Sequence, residues 1–191
     1  MKILVTYATG FGSTAEVAEA IATALREHDE VVVEQVHDVL SVRPYDAVVA
    51  GSPVRAGKWL RSATNFLANC ESELAKKPVA YFTLSLMARD EVGRQKVYQD
   101  VVGPIRERYS KIKPVAVGVF GGAVDYERLP WLIRLVVKGA NKKQGLPVEG
   151  KIDYRDWNAI TTWAKQLRSR LRREGDKEGR ESADNPRAGA S

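Results

Sequence analysis

The chain has 191 residues, 44% of them hydrophobic and 28% charged, with a formal net charge of +6, enough apolar material for one folded domain with its own core. The single cysteine, Cys70, excludes an intramolecular disulfide and fits a reducing, cytoplasmic compartment. No apolar run approaches the roughly 20 residues of a membrane-spanning helix, and no charged leader with an apolar stretch and cleavage site opens the chain, so any membrane contact is expected to be peripheral.

KILVTY (2–7) is a short run of β-branched and apolar residues that predicts a buried strand. After it Val17, Ala18, Ile21, Ala22 and Leu25 recur at helical spacing and predict a helix packed on a sheet. VVVEQV (31–36) and YDAVVAG (45–51) repeat the strand character. A second stripe, Leu60, Ala63, Phe66, Leu67, Cys70 and Leu74, predicts a helix whose apolar face includes the cysteine, so Cys70 reads as a packing thiol. PVAYFTLSL (78–86) and PVAVGVFGG (114–122) supply strands four and five. Between them residues 90–109 follow a helical pattern that Gly103-Pro104 should break or kink.

A connecting segment, 123–151, leads to a last helix with Asp153 as cap and Asp156 as third residue. Trp157, Ile160, Ala164, Leu167 and Leu171 line one face of that helix, and Lys165, Arg168, Arg170 and Arg172 the other. Residues 174–191 hold five acids, three bases and almost no apolar residue; they are expected to form a disordered polar tail, leaving residues 1–173, at +8, as the folded domain. Strands alternating with helices at this length predict an α/β fold, a flavodoxin-like doubly wound five-stranded parallel sheet of order 2-1-3-4-5.

The loop after the first strand is Thr9-Gly10-Phe11-Gly12-Ser13-Thr14. A loop between a buried strand and a helix N-terminus attracts anions, because unpaired N–H groups and the helix dipole converge there. The lysine of a triphosphate-binding loop is absent, which argues against ATP or GTP. Gly10 to Ala15 also fit the G-x-G-x-x-G/A pattern, with Glu34 placed as a ribose-binding acid. The opening resembles that of short-chain dehydrogenases, and Tyr109 and Lys113 have that family's Y-x-x-x-K spacing. However, Tyr7 replaces the first glycine, and Pro114 directly after Lys113 argues for a loop there. The other reading takes Thr9, Ser13 and Thr14 as hydroxyl donors and Gly10 and Gly12 as the bend. With the loop amides they surround one terminal phosphate without a basic side chain, which suits flavin mononucleotide, FMN.

Strands three and four of such a sheet end beside this loop. The candidate flanks of the flavin are therefore Ser52, Pro53, Val54, Arg55, Ala56, Gly57 and Trp59 after strand three, and Ser85, Leu86, Met87 and Ala88 after strand four. Trp59 is placed either to cover the ring or to pack on the adjacent helix. Arg55 is the candidate anchor for an anionic substrate or reduced flavin, with a solvated loop charge as the plainer reading.

The segments YATGFGSTAEVAEAI, DAVVAGSPVRAGKW, YFTLSLMAR, GGAVDYERLPWLIRLVVKGANKKQG and DYRDWNAITTWAKQL together span roughly residues 1–170. They resemble the flavodoxin-domain family that includes the menaquinone-dependent protoporphyrinogen IX dehydrogenases of bacteria. That resemblance implies an FMN-dependent oxidoreductase of heme biosynthesis that removes hydrogens from a tetrapyrrole precursor and passes electrons to a quinone. A basic body suits a substrate with carboxylate arms or an anionic membrane, and would repel the basic partners of acidic electron carriers.

LPWLIRLVVKGANKK (129–143) offers a membrane contact through Trp131, Leu132, Ile133, Arg134 and Lys138, with packing on the core as the equal alternative. The expected location is cytoplasmic, peripheral on the inner face of the cell membrane. His28 and His37 have no partners at metal spacing, so no metal site is expected. The basic cluster at 168–173 has no recognition motif, so nucleic acid is not expected either. An electron-carrier flavodoxin and an NAD(P)H-dependent quinone reductase stay as alternative activities, and a homo-oligomer stays open.

Overall fold

The structure, a computed structural model, describes residues 1–184 except 128 and 144, with backbone only for 177–184. Its elements are β1 (Lys2–Tyr7), α1 (Ser13–Arg26), β2 (Glu30–Gln35), β3 (Ala47–Arg55), β4 (Lys58–Trp59), α2 (Arg61–Leu74), β5 (Val79–Ser85), α3 (Glu91–Val97), α4 (Gly103–Arg108), β6 (Ala116–Gly121), β7 (Ala123–Asp125), α5 (Trp131–Lys143), β8 (Lys151–Asp153) and α6 (Trp157–Asp184).

Five of the strands form a parallel sheet in the order β2-β1-β3-β5-β6, the expected winding. The interior strand β5 is buried at all seven positions, because helices cover both faces of the sheet. Alternate residues of the strands feed two cores. Ile3, Val5, Val49 and Phe82 meet α1 and α6 through Val17, Ile21, Leu25, Ile160 and Leu167. Leu4, Val48 and Tyr81 face the other way, onto Phe66, Leu67 and Leu74 of α2 and Val101 and Ile105 near α4. Cys70 is half-buried on that second side, and burial together with nearby Glu73 pushes its thiol pKa up, as suits packing rather than reactivity.

Four expectations need correction. Gly103-Pro104 does not break the helix: a π turn at Tyr98–Val102 joins α3 to α4, and bonding to the fifth residue passes over the donor missing at Pro104. The connecting segment is a small lobe, in which β7 and β8 pair antiparallel and α5 lies between them in the chain. Three-residue strands are too short to show a period. Asp156, not Asp153, caps α6, its Oδ1 accepting from the Ala159 amide at 2.9 Å, while Asp153 closes β8. Finally, α6 runs on to Asp184, since the Glu, Lys and Arg residues after 173 are good helix formers and no proline intervenes before Pro186. Residues 185–191 of the expected tail lie outside the described residues.

Candidate functional site

The carboxyl ends of β1, β3 and β5 lie side by side, and the loops that leave them meet at one edge of the sheet. After β1, the Thr9 hydroxyl accepts from the Gly12 amide at 3.0 Å and closes the loop into a tight bend. Gly12 precedes α1 with φ of 90°, left-handed backbone that glycine adopts without strain. No side chain caps α1, and its first internal bond is Glu16 N–H to Gly12 C=O. The amides of Ser13, Thr14 and Ala15 therefore have no acceptor within the helix. Thr14 is fully buried and its Oγ1 has no hydrogen-bond partner among the described residues. A buried orphan hydroxyl beside three open amides is a donor set that fits a phosphate.

The stretch read as a loop after β3 is a β-hairpin. Arg55 pairs with Lys58 across a two-residue turn, in which Ala56 and Gly57 both take positive φ, 48° and 72°. Two successive left-handed residues match the twist of paired strands. The turn throws the Arg55 guanidinium back over the phosphate loop, where it stacks on Phe11 at 4.2 Å from the ring centroid. A Cβ on Gly10 would fall 1.8 Å from Arg55 Nη2, so a residue without a side chain is what lets the cation approach. Burial against the loop lowers the Arg55 pKa, and no acidic partner for it is found among the described residues.

Other residues expected at the site face elsewhere. Trp59 is 5% exposed and sits edge-on against Tyr81. Its indole N–H donates to Thr83 Oγ1, whose hydroxyl donates to the Ser52 carbonyl, both at 3.0 Å. Trp59 thus locks the hairpin to the core and covers no ring. The Ser52 hydroxyl is consumed too, donating to the Pro53 carbonyl and accepting from the Leu60 amide. Pro53 pairs with Leu84 within the sheet, and Val54 with Trp59 in the hairpin.

After β5, Leu86–Arg89 form a 3-10 turn, with Ser85 Oγ accepting from the Met87 amide at 3.2 Å. Ala88 is buried in the α2-side core, Met87 packs against it, and Leu86 joins the lobe cluster of Val124, Tyr126, Leu129 and Ile152. Tyr109 is buried and donates to the Thr64 carbonyl at 2.9 Å, which removes it from any catalytic pair with exposed Lys113.

Sequence reasoning missed Arg155. Its side chain is 7% exposed and clasps Asp153 at 2.6 Å and Glu16 at 2.8 Å while stacking on Trp157. It also donates to the Ser13 carbonyl at 3.4 Å, bracing the first turn of α1. The Arg155 guanidinium holds the Asp153 carboxyl below its ordinary range against the opposing effect of burial. The signal lay in the D-Y-R-D run, but its partner Glu16 is 139 residues away.

A doubly wound sheet with a hydroxyl-lined, uncapped helix entry beside its central strand defines a flavodoxin-type FMN protein. The flavodoxin-domain family matches residues 4–149, and the chain belongs to it. Its cofactor is FMN, and the fold with these relatives supports an oxidoreductase.

The chain is 26% identical over 172 residues to protoporphyrinogen IX dehydrogenase [quinone] of Escherichia coli strain K12, covering 87% of this chain and 94% of that one. It is 27% identical to the protein of the same name from Leishmania major, over 87% of this chain and 74% of the other. Among solved structures, oxidised flavodoxin 1 of Bacillus cereus superposes with a TM-score of 0.52 at 14% identity, covering 88% of this chain and 98% of that one, a likeness of fold.

Proposed function

We propose that the protein is an FMN-dependent dehydrogenase of a tetrapyrrole precursor of the protoporphyrinogen class, with a membrane-dissolved quinone as acceptor, working from the cytoplasmic side in heme biosynthesis. Two relatives that carry this activity in their names support the reaction. Within the chain, the observation that carries the reading is Arg55, a cation with no acidic partner among the described residues, held over the candidate phosphate loop at the mouth of the site.

Bound FMN would supply the electron acceptor, and the protein supplies position and charge. The hydroxyls of Thr9, Ser13 and Thr14 and the amides at the start of α1 hold the phosphate. The hairpin around Arg55, Ala56 and Gly57 and the turn at Ser85–Ala88 flank the ring. Arg55 then engages a carboxylate arm of the substrate, a pairing for which a planar guanidinium is well shaped.

The test is anaerobic turnover of the FMN-loaded protein with protoporphyrinogen IX and a soluble menaquinone analogue, followed by porphyrin fluorescence. Quinone-dependent porphyrin formation is expected, slowed in Arg55→Ala through a raised KM. Oxidation of NADPH in place of porphyrinogen would move the activity to a quinone reductase. Response only to a ferredoxin-type reductase would make the protein an electron carrier.

A further inference from the structure

The lobe around α5 presents an apolar surface that the fold leaves uncovered. Trp131, Leu132, Ile133, Leu135 and Val136 are 69%, 59%, 40%, 61% and 72% exposed, and none of the thirteen residues of α5 is buried. The helix is nevertheless firmly held from its other side. Arg134 donates to the carbonyls of Glu127 and Leu129 at 2.8 and 3.1 Å, Asn141 donates to the Tyr126 hydroxyl at 2.6 Å, and Val137 packs on the lobe cluster. Lys138 lies over Tyr126 with its ammonium 3.8 Å from Glu149. Arg134 and Lys138 therefore serve the lobe, which corrects their expected place on a contact surface.

On the outward side, two apolar turns are followed by exposed Lys142 and Lys143 in the last turn, and α5 has no acidic residue. Contiguous large apolar side chains beside basic ones, with a tryptophan at one end, are the pattern of a helix lying in a lipid headgroup region. A protein partner would answer the apolar face equally well. The lysines beside it and the basic body point to an anionic surface, and the lack of any acid on α5 removes repulsion from it.

We propose that the outward face of α5, centred on Trp131, Leu132, Leu135 and Val136, docks the protein on an anionic lipid bilayer. The same lobe packs on Leu86, the first residue after β5, so docking would hold the lobe that adjoins the flavin-flanking turn at the membrane. That consequence, access of a lipid-dissolved quinone to the site, rests on the function proposed above, whereas the docking does not.

The experiment is co-sedimentation of the full-length FMN-loaded protein with vesicles of phosphatidylglycerol and phosphatidylcholine, and with phosphatidylcholine alone. Binding is expected to the anionic vesicles and to weaken with salt. Leu135→Asp with Val136→Asp should weaken it at least about tenfold, and Lys142→Gln and Lys143→Gln by about fivefold each. Both residue pairs are exposed, so circular dichroism and the flavin spectrum should stay unchanged. Brominated lipid should quench fluorescence in the wild type and quench it less in Trp131→Phe.

Absence of vesicle binding, or binding that ignores these variants, overturns the proposal. So does a concentration-dependent dimer that the Asp variants disperse while vesicles capture nothing. Turnover with a soluble quinone analogue, measured without vesicles, separates the two readings. If it persists while vesicle binding fails, the docking alone falls; if vesicle binding holds without turnover, the assigned reaction falls.

Discussion

β5 and α5 are built from similar material and treated in opposite ways. β5, VAYFTLS, is buried at every position, whereas α5 offers Trp131, Leu132, Ile133, Leu135 and Val136 to solvent and buries none of its residues. Leu86, the first residue after β5, and Val137 of α5 pack against the same small cluster. Burial in the core accounts for the side chains of β5. It does not account for those of α5, where polar groups and Val137 already fasten the helix, so the outward apolar residues answer to something other than the fold. No helix among the described residues is long and apolar enough to cross a membrane.

The contrast is sharpest in stability. Phe82→Ala in β5 should cost about 3–5 kcal/mol, while Leu135→Ala on α5 should stay within about 0.5 kcal/mol; denaturant titration of the two variants checks it. A comparable loss at both positions would mean that α5 is packed after all.

Next in size is the clasp that ties α6 and β8 to the start of α1. Arg155→Gln should cost about 2 kcal/mol, because it breaks hydrogen bonds between charged groups. The Asp153 pKa is lowered in the folded state, so its contribution is complete above the ordinary carboxylate range and is lost as pH falls through that lowered value. Thermal melts across the acid range should show this loss in the wild type and a flatter profile in Arg155→Gln. Equal profiles would mean that Asp153 owes nothing to Arg155.

Thr14→Val separates binding from folding. Removal of the orphan hydroxyl should weaken FMN about tenfold while leaving the unliganded melting temperature unchanged or slightly higher. Calorimetric titration gives the first number and a thermal melt the second. Unchanged FMN affinity would take Thr14 out of the phosphate site.

Smallest is Ala56→Gly. Relief of a left-handed alanine should raise stability by about 0.5–1 kcal/mol. Flavin affinity should hold or fall slightly as the tip that aims Arg55 loosens, and a lowered melting temperature would contradict the strain at Ala56.

The winding of the sheet could be read from the chain because β1, β3 and β5 are short apolar runs separated by helical stripes, and local pattern dictates parallel strands covered on both faces. The candidate phosphate loop could be picked out for the same reason: its hydroxyls and glycines lie within six consecutive residues, Thr9 to Thr14. What could not be read depends on distant contacts. Trp59 turned inward because Thr83 and Tyr81, more than twenty residues on, receive it. Arg155 reached the site through Glu16, 139 residues away, and through the Ser13 carbonyl. The hairpin was hidden by its Ala-Gly turn, since alanine seldom takes the positive φ that asparagine would have signalled. For α5, the pattern of the chain shows amphipathicity but not which side the lobe covers.

The most direct test of the whole account is a single anaerobic reaction followed at the flavin absorbance. FMN-loaded protein is mixed with protoporphyrinogen IX, then with vesicles containing menaquinone. Bleaching by the porphyrinogen and recovery only on addition of the quinone is the predicted result. A flavin that stays oxidised in the presence of porphyrinogen would contradict it.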